Sequence, residues 1–237
     1  MIRWLPVIAV VGVLTLARSA TAGPLEDART AFDSGDYARA LSLWRPQAAA
    51  GNPEAEDRVG LLYLDGKGVA KDDAEAVRWF RMAAQKGLAD AEFNLAECLA
   101  TGQGGPQDST AASEWYAKAA KQGHAGAEYK MGVLLRTGTD LHSVLHDAAE
   151  WFKKAADQGV IAAQINLAVM FADGQGVPQD NVEALTWLDI VARRLPDADT
   201  AHRAAVDKIR AGLAAEMSPE QVGYAQNFAD RWEPTRP

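Results

Sequence analysis

Four tryptophans, Trp79, Trp115, Trp151 and Trp187, stand 36 residues apart, and Gly51, Gly87, Gly123 and Gly159 keep the same interval. Two unrelated residue types sharing one period make this chain a repeat protein. The unit is clearest from Trp115 to Gly123, Trp-Tyr-Ala-Lys-Ala-Ala-Lys-Gln-Gly. Around it Ala112, Trp115, Tyr116, Ala119 and Ala120 fall at i, i+3, i+4, i+7 and i+8, so one helical face carries two aromatics and then small residues. Small residues let a second helix close on that face. Such a helix cannot bury its face alone, so the copies have to stack, and a stack of helix pairs offers long surfaces to partners. This pattern places the tryptophans in the core rather than in a ligand-stacking ladder.

The 237 residues would allow one or two domains by length, but the repeat favours a single elongated unit. Arg3 and Arg18 are the only charged side chains of residues 1–22, and removing them would take the formal net charge from −8 to −10. An acidic chain without a basic tract is a poor binder of nucleic acid or anionic membrane. Cys98 is the only cysteine, so no intramolecular disulfide can form and metal sites built on paired cysteines are excluded. Residues 1–22 combine Arg3, an apolar run from Trp4 to Ala17 and a small-residue site at Ala20-Thr21-Ala22, which reads as a secretory signal peptide. The run is shorter than the roughly 20 residues of a permanent span. The mature chain is therefore expected to be periplasmic or secreted and free of the membrane after cleavage, the alternative being a retained anchor.

Residues 23–51 read as a divergent helix pair capping the stack. Ser34-Gly35-Asp36 forms the turn, and Trp44 takes the position that Phe80 holds in the next unit. Four full repeats follow within 52–195, at about 53–88, 89–124, 125–160 and 161–196. Each opens with a helix on one register, as in Ala91, Leu95, Ala96 and Leu99, and a glycine ends it at 66, 102, 138 and 174. Asp72, Asp108 and Asp180 begin the second helices, and Asp72 with Glu75, like Asp180 with Glu183, has capping-box spacing. Residues 197–232 are expected to form capping helices, the first with Ala201, Ala205, Ile209 and Leu213 facing inward, the second started by Ser218-Pro219-Glu220-Gln221. The tail 233–237 is expected to be disordered.

Asn94-Leu95-Ala96, Gly102-Gln103-Gly104, Asp108, Trp115-Tyr116 and Ala119-Ala120 to Gly123, with Gly174-Gln175-Gly176-Val177 and Asp180, resemble the Sel1-like repeats, relatives of the tetratricopeptide repeats. The resemblance covers about 52–195. It implies an all-α fold, a right-handed superhelical α-solenoid of antiparallel helix pairs whose first helices line the concave side. It also implies a non-catalytic scaffold working through protein contacts, an adaptor or regulator, often in the bacterial cell envelope. Cysteine-rich members pair cysteines within each repeat, and this chain has none to pair.

The third repeat departs between its helices, with Asp140 in place of the second glycine and Val144 in place of the capping aspartate. His142 is expected in that loop and Ser143 as a displaced cap. Its apolar residues make Leu141 and His142 candidate contacts. His142, His146 and Glu150, beside Asp147, are the nearest approach to a metal cluster. They would serve the alternative reading, an envelope hydrolase or metal-dependent enzyme using this loop, but His-Ser-Val-Leu-His lacks the glutamate of a metallohydrolase motif. No nucleophile or phosphate-loop motif is present and no cofactor is expected. Cys98, in the column of Leu62, Leu134 and Met170, reads as a buried, inert thiol. A stripe flanking the core columns of the first helices turns from acidic to apolar along the chain. Its later part, Lys130, Val133, Asn166 and Val169, is the candidate groove for a protein or peptide partner.

Overall fold

The computed structural model describes residues 23–138 and 142–235, without the side chains of residues 138, 142 and 143. Residues 1–22, read as a signal peptide, and Leu141 lie outside the described residues. Among the described residues there are no strands and twelve helices: α1 (Pro24–Asp33), α2 (Tyr37–Ala49), α3 (Pro53–Asp65), α4 (Asp73–Gln85), α5 (Ala89–Thr101), α6 (Ser109–Lys121), α7 (Ala125–Gly138), α8 (His142–Asp157), α9 (Ile161–Asp173), α10 (Asn181–Arg194), α11 (Thr200–Ala215) and α12 (Pro219–Arg231). From α1 to α11 each helix packs on the next, and α12 returns to α10. The molecule is a right-handed superhelical α-solenoid of antiparallel pairs.

Aspartate side chains start the second helices by accepting from free backbone N–H groups. Asp36 accepts from Arg39 N at 3.1 Å, Asp72 from Glu75 N at 2.9 Å, and Asp108 from Ala111 N at 2.9 Å. Asp180 accepts from Val182 N and Glu183 N. The reciprocal halves of the boxes expected at Asp72 and Asp180 do not form, because those backbone N–H groups already donate to Tyr63 O and Phe171 O at 3.0 and 2.9 Å. At Ser218 both halves are made.

The two loop glycines do different work. Gly66, Gly102 and Gly174 end the first helices in the left-handed region, with φ of 68–75°. Gly68, Gly104 and Gly176 lie against the backbone at the start of the preceding repeat's second helix. A Cβ there would sit 2.5 Å from Tyr37 C, 2.2 Å from Asp73 O and 2.3 Å from Leu145 C respectively. The second glycine of each pair is thus an inter-repeat contact. In the third repeat, with Asp140 at this column and no capping aspartate, α8 starts at His142, three residues before the register position Leu145. His142 is therefore helical rather than in the loop, and Ser143 lies inside α8 rather than capping it. Leu134, expected in the core with Leu62, Cys98 and Met170, is 39% exposed where the others are 0–2%. It belongs to the one repeat without the closing glycine.

The core also differs from expectation at the tryptophans. Trp79, Trp115 and Trp151 are half-buried, and the fully buried column is the next residue: Trp44, Phe80, Tyr116, Phe152 and Leu188. The reason lies on the facing helix. Gly60 and Gly132 leave room for Phe80 and Phe152, whose rings would be 2.7 Å from an added Cβ. Each tryptophan instead leans on the preceding hydrophobic cluster, and lysines cover the outer faces of two of them. Lys118 Nζ lies 3.6 Å from the Trp115 ring centre and Lys154 Nζ 4.2 Å from that of Trp151. Of the four, Trp187 is buried.

The C-terminal helices enclose α10, whose residues Ala184–Ala192 are all buried. α11 docks through Val206, Arg203 and Arg210, and of the expected stripe only Leu213 packs inward, since Ala201, Ala205 and Ile209 face solvent. Arginine chemistry turned the helix. Arg210 Nε donates to the buried Asp189 at 2.7 Å, and Arg203 donates to the carbonyls of Ala192 and Leu195 at the end of α10. The tail expected to be disordered is laid down as far as Thr235, whose N–H donates to Asp157 O at 2.8 Å.

Candidate functional site

The flanking stripe on the first helices is built partly of bridges between repeats. Asn94 of α5 donates to the buried Asp57 of α3 at 2.8 Å. One repeat on, Lys130 of α7 pairs with Glu97 of α5 at 2.7 Å, and Tyr116 Oη–H donates to the same carboxylate. Lys130 is therefore engaged within the stack. Between the third and fourth repeats no such polar bridge is made among the described residues. Val133 and Val169 are half-buried, and Asn166 turns back to the Ala162 carbonyl of its own helix at 2.7 Å. Of the four stripe residues, Lys130 and Val133 lie on α7 and Asn166 and Val169 on α9, with Val133 also packing on the core beneath.

A column of Phe93, Tyr129 and Ile165 beside the stripe packs internally. Phe93 stacks on His124 with ring centres 4.4 Å apart, Tyr129 meets Phe152 at 5.9 Å, and Ile165 packs on the C-terminal core. His124 also caps α7, its Nδ1 accepting from Ala127 N at 3.1 Å. Of the two loop candidates, Leu141 is not described and His142 opens α8 without a described side chain. His146 meets the Gly176 carbonyl at 3.1 Å, and among the described residues no three His, Cys, Asp or Glu side chains gather as a metal site. Cys98 is buried, and burial pushes its thiol up to about 11, which keeps it protonated at neutral pH.

A second buried polar column went unread in the sequence, although it obeys the period. Glu56, Glu92, Glu128 and Gln164, in the first turns of the first helices, are met by Lys86, Gln122, Gln158 and Arg194 from the ends of the second helices. Lys86, Gln158 and Arg194 also reach the carbonyls of Gly51, Gly123 and Gly159. Each clasp closes one helix pair. The signal was a 30-residue offset repeated down the chain between a carboxylate or amide and a donor.

These buried carboxylates make stability depend on pH. Burial raises Glu92 and Glu128, whose partners are neutral glutamines, and raises Asp57 to about 6. An unfolded aspartate titrates near 4. Between about pH 4 and pH 6 the folded chain holds the Asp57 proton more tightly than the unfolded chain does, so stability falls as pH rises through that window. Asp57→Asn keeps an acceptor for Asn94 and removes the ionisation. It should stabilise the chain at pH 7 by on the order of 1–2 kcal/mol and change little at pH 4, as read from urea melts at both values. Equal effects at the two pH values would show that Asp57 titrates normally.

The Sel1 repeat model matches residues 53–88, 89–124, 125–160 and 161–193. Among solved structures the chain is similar to a Sel1 repeat protein from Oxalobacter formigenes, with 26% identity, a TM-score of 0.70, and 88% of this chain and 85% of that chain covered. It is also similar to c5321, a protective antigen of uropathogenic Escherichia coli with the same fold, at 24% identity and a TM-score of 0.58, covering 89% of this chain and 52% of that longer one. A Sel1 repeat protein from Klebsiella pneumoniae aligns at 22% identity and a TM-score of 0.50, over 78% of this chain and 91% of that one. No curated protein matches the chain. With its four repeats matched across more than half its length, the chain belongs to the Sel1 repeat family.

Proposed function

We propose that this protein is an adaptor or regulator of the bacterial cell envelope that holds another protein in the groove of its third and fourth repeats. Sel1 repeat proteins are generally scaffolds for protein interaction. The observation that carries the groove is the missing bridge. The stripe is tied across repeats at Asp57–Asn94 and Glu97–Lys130, but among the described residues Val133, Asn166 and Val169 carry no such tie. Half-buried apolar groups beside an amide that bonds only within its own helix are what a partner segment can cover. Envelope placement rests on the signal-like residues 1–22.

The test is in-cell cross-linking of a C-terminally tagged chain in its own host, followed by fractionation and pull-down. The envelope fraction should contain the protein with a bound partner. Asn166→Asp with Val169→Asp should lose that partner while melting as the parent does, because both residues lie beside the core columns. Glu75→Ala, which breaks only an exposed pair with Arg78, should retain it. Retention by the double variant would discard the groove, and recovery from the cytoplasm would discard the envelope.

A further inference from the structure

The C-terminal cap closes a pocket against the fourth repeat. Trp187 of α10, at the fourth position of the tryptophan column, is joined by Phe171 from the end of α9 and by Phe228 and Trp232 from α12 around a cavity of about 330 Å³. Trp187 and Trp232 meet edge to face with ring centres 6.1 Å apart. The rim is acidic, with Asp157 at the end of α8 and Glu183 in the first turn of α10. Lys153 also reaches it but is spent on Asp157, 3.1 Å away. Glu183 has no salt bridge among the described residues; burial, with Asp180 nearby, holds its carboxyl above the usual range, and the charge of Lys153 offsets only part of this. Phe228 is 51% exposed at the mouth.

Two of the four column tryptophans carry a lysine, while Trp79 has Met82 at that position. Lys118 covers Trp115, Lys154 covers Trp151, and the Arg194 guanidinium lies 5.3 Å from the centre of Trp232. At the fourth position the residue corresponding to Lys118 and Lys154 is Ile190, which is buried, so Trp187 has no lysine of its own. The pocket therefore has aromatic walls, with Trp187 buried at its base and Phe228 open at its mouth, and at Glu183 a carboxyl that forms no salt bridge among the described residues. A guanidinium suits it better than an ammonium, being planar, weakly hydrated, able to stack on an indole and able to pair with a carboxylate through two N–H groups.

We propose that the pocket between α10 and α12 receives an arginine side chain of a partner protein, laid on Phe228 beside Trp232, with Trp187 as the floor, and paired with Glu183. The proposal rests on the scaffold reading but not on the groove, since the two surfaces share no residue. A test on purified chain with short peptides separates it from the in-cell capture. Acetyl-Gly-Arg-Gly-amide is titrated at constant ionic strength against the same peptide with citrulline, its neutral isostere, following the indole N–H signals of Trp187 and Trp232 by NMR. The arginine peptide should give saturable shifts at those two indoles, with binding at least about tenfold tighter than citrulline. Glu183→Gln and Phe228→Ala should each weaken it about tenfold with unchanged melting. Equal response to the two peptides, no saturable shift up to about 50 mM, or undiminished binding by both variants would overturn the proposal.

Discussion

Phe152→Ala should cost about 3–5 kcal/mol, while its neighbour Trp151→Ala should cost roughly 1–2 kcal/mol despite removing the larger side chain. Phe152 is fully buried and fills the space left by Gly132, so its removal opens a cavity that two rigid helices cannot collapse. Gly132 itself costs helix stability of about 0.5–1 kcal/mol, tolerated because the ring fits only there. Trp151 seals one side of the preceding cluster and keeps its other face under Lys154 at the surface, so water replaces part of what is lost. Urea melts of both variants give the comparison directly. If Trp151→Ala costs as much as Phe152→Ala, the tryptophan column carries the core after all. In a stack that depends on neighbours, the damage from Phe152→Ala should spread into the third and fourth repeats, where the groove lies.

This contrast also shows what a sequence of this kind discloses. The 36-residue period was legible because it is carried by several residue types at once, and helix pairs, caps and connecting glycines follow from it. Which of two adjacent aromatics enters the core was not legible from the helix alone. Trp151 and Phe152 sit 100° apart on one helix, and the choice is made by Gly132 on the facing helix. α11 failed for a related reason. Its small apolar stripe of Ala201, Ala205 and Ile209 fitted a helical face, but Arg203 and Arg210 found a buried carboxylate and free carbonyls on α10, and charged hydrogen bonds outweighed alanine burial. The stripe residues Lys130, Val133, Asn166 and Val169 were legible as a line by register. That Lys130 closes on Glu97 and Asn166 on its own helix depends on side-chain reach, which register does not encode. The arginine pocket was hidden more deeply, because it joins α8, α9 and α10 to a cap whose docking depends on those same tertiary choices.

Gly104→Ala should destabilise the chain by about 3–4 kcal/mol, whereas Gly102→Ala, two residues away in the same loop, should cost only about 1–2 kcal/mol. Both glycines are left-handed, with φ of 78° and 75°, so each alanine pays the same backbone strain. They differ in what the added methyl meets. At Gly102 the nearest atoms are Cβ and N of Gln107 at 3.3 Å, in a loop that can give way by a few tenths of an ångström. At Gly104 the methyl would stand 2.2 Å from the Asp73 carbonyl oxygen and 2.9 Å from Val77, so α4 must move away from the second repeat. The difference between the two costs therefore measures the inter-repeat contact, free of the strain they share. A difference below about 1 kcal/mol in urea melts would mean that the loop does not bear on the neighbouring repeat. The larger effect should also appear as uncoupling. With α4 displaced, the helices on the amino-terminal side should exchange their amides faster than those of the third and fourth repeats, a pattern Gly102→Ala should not produce.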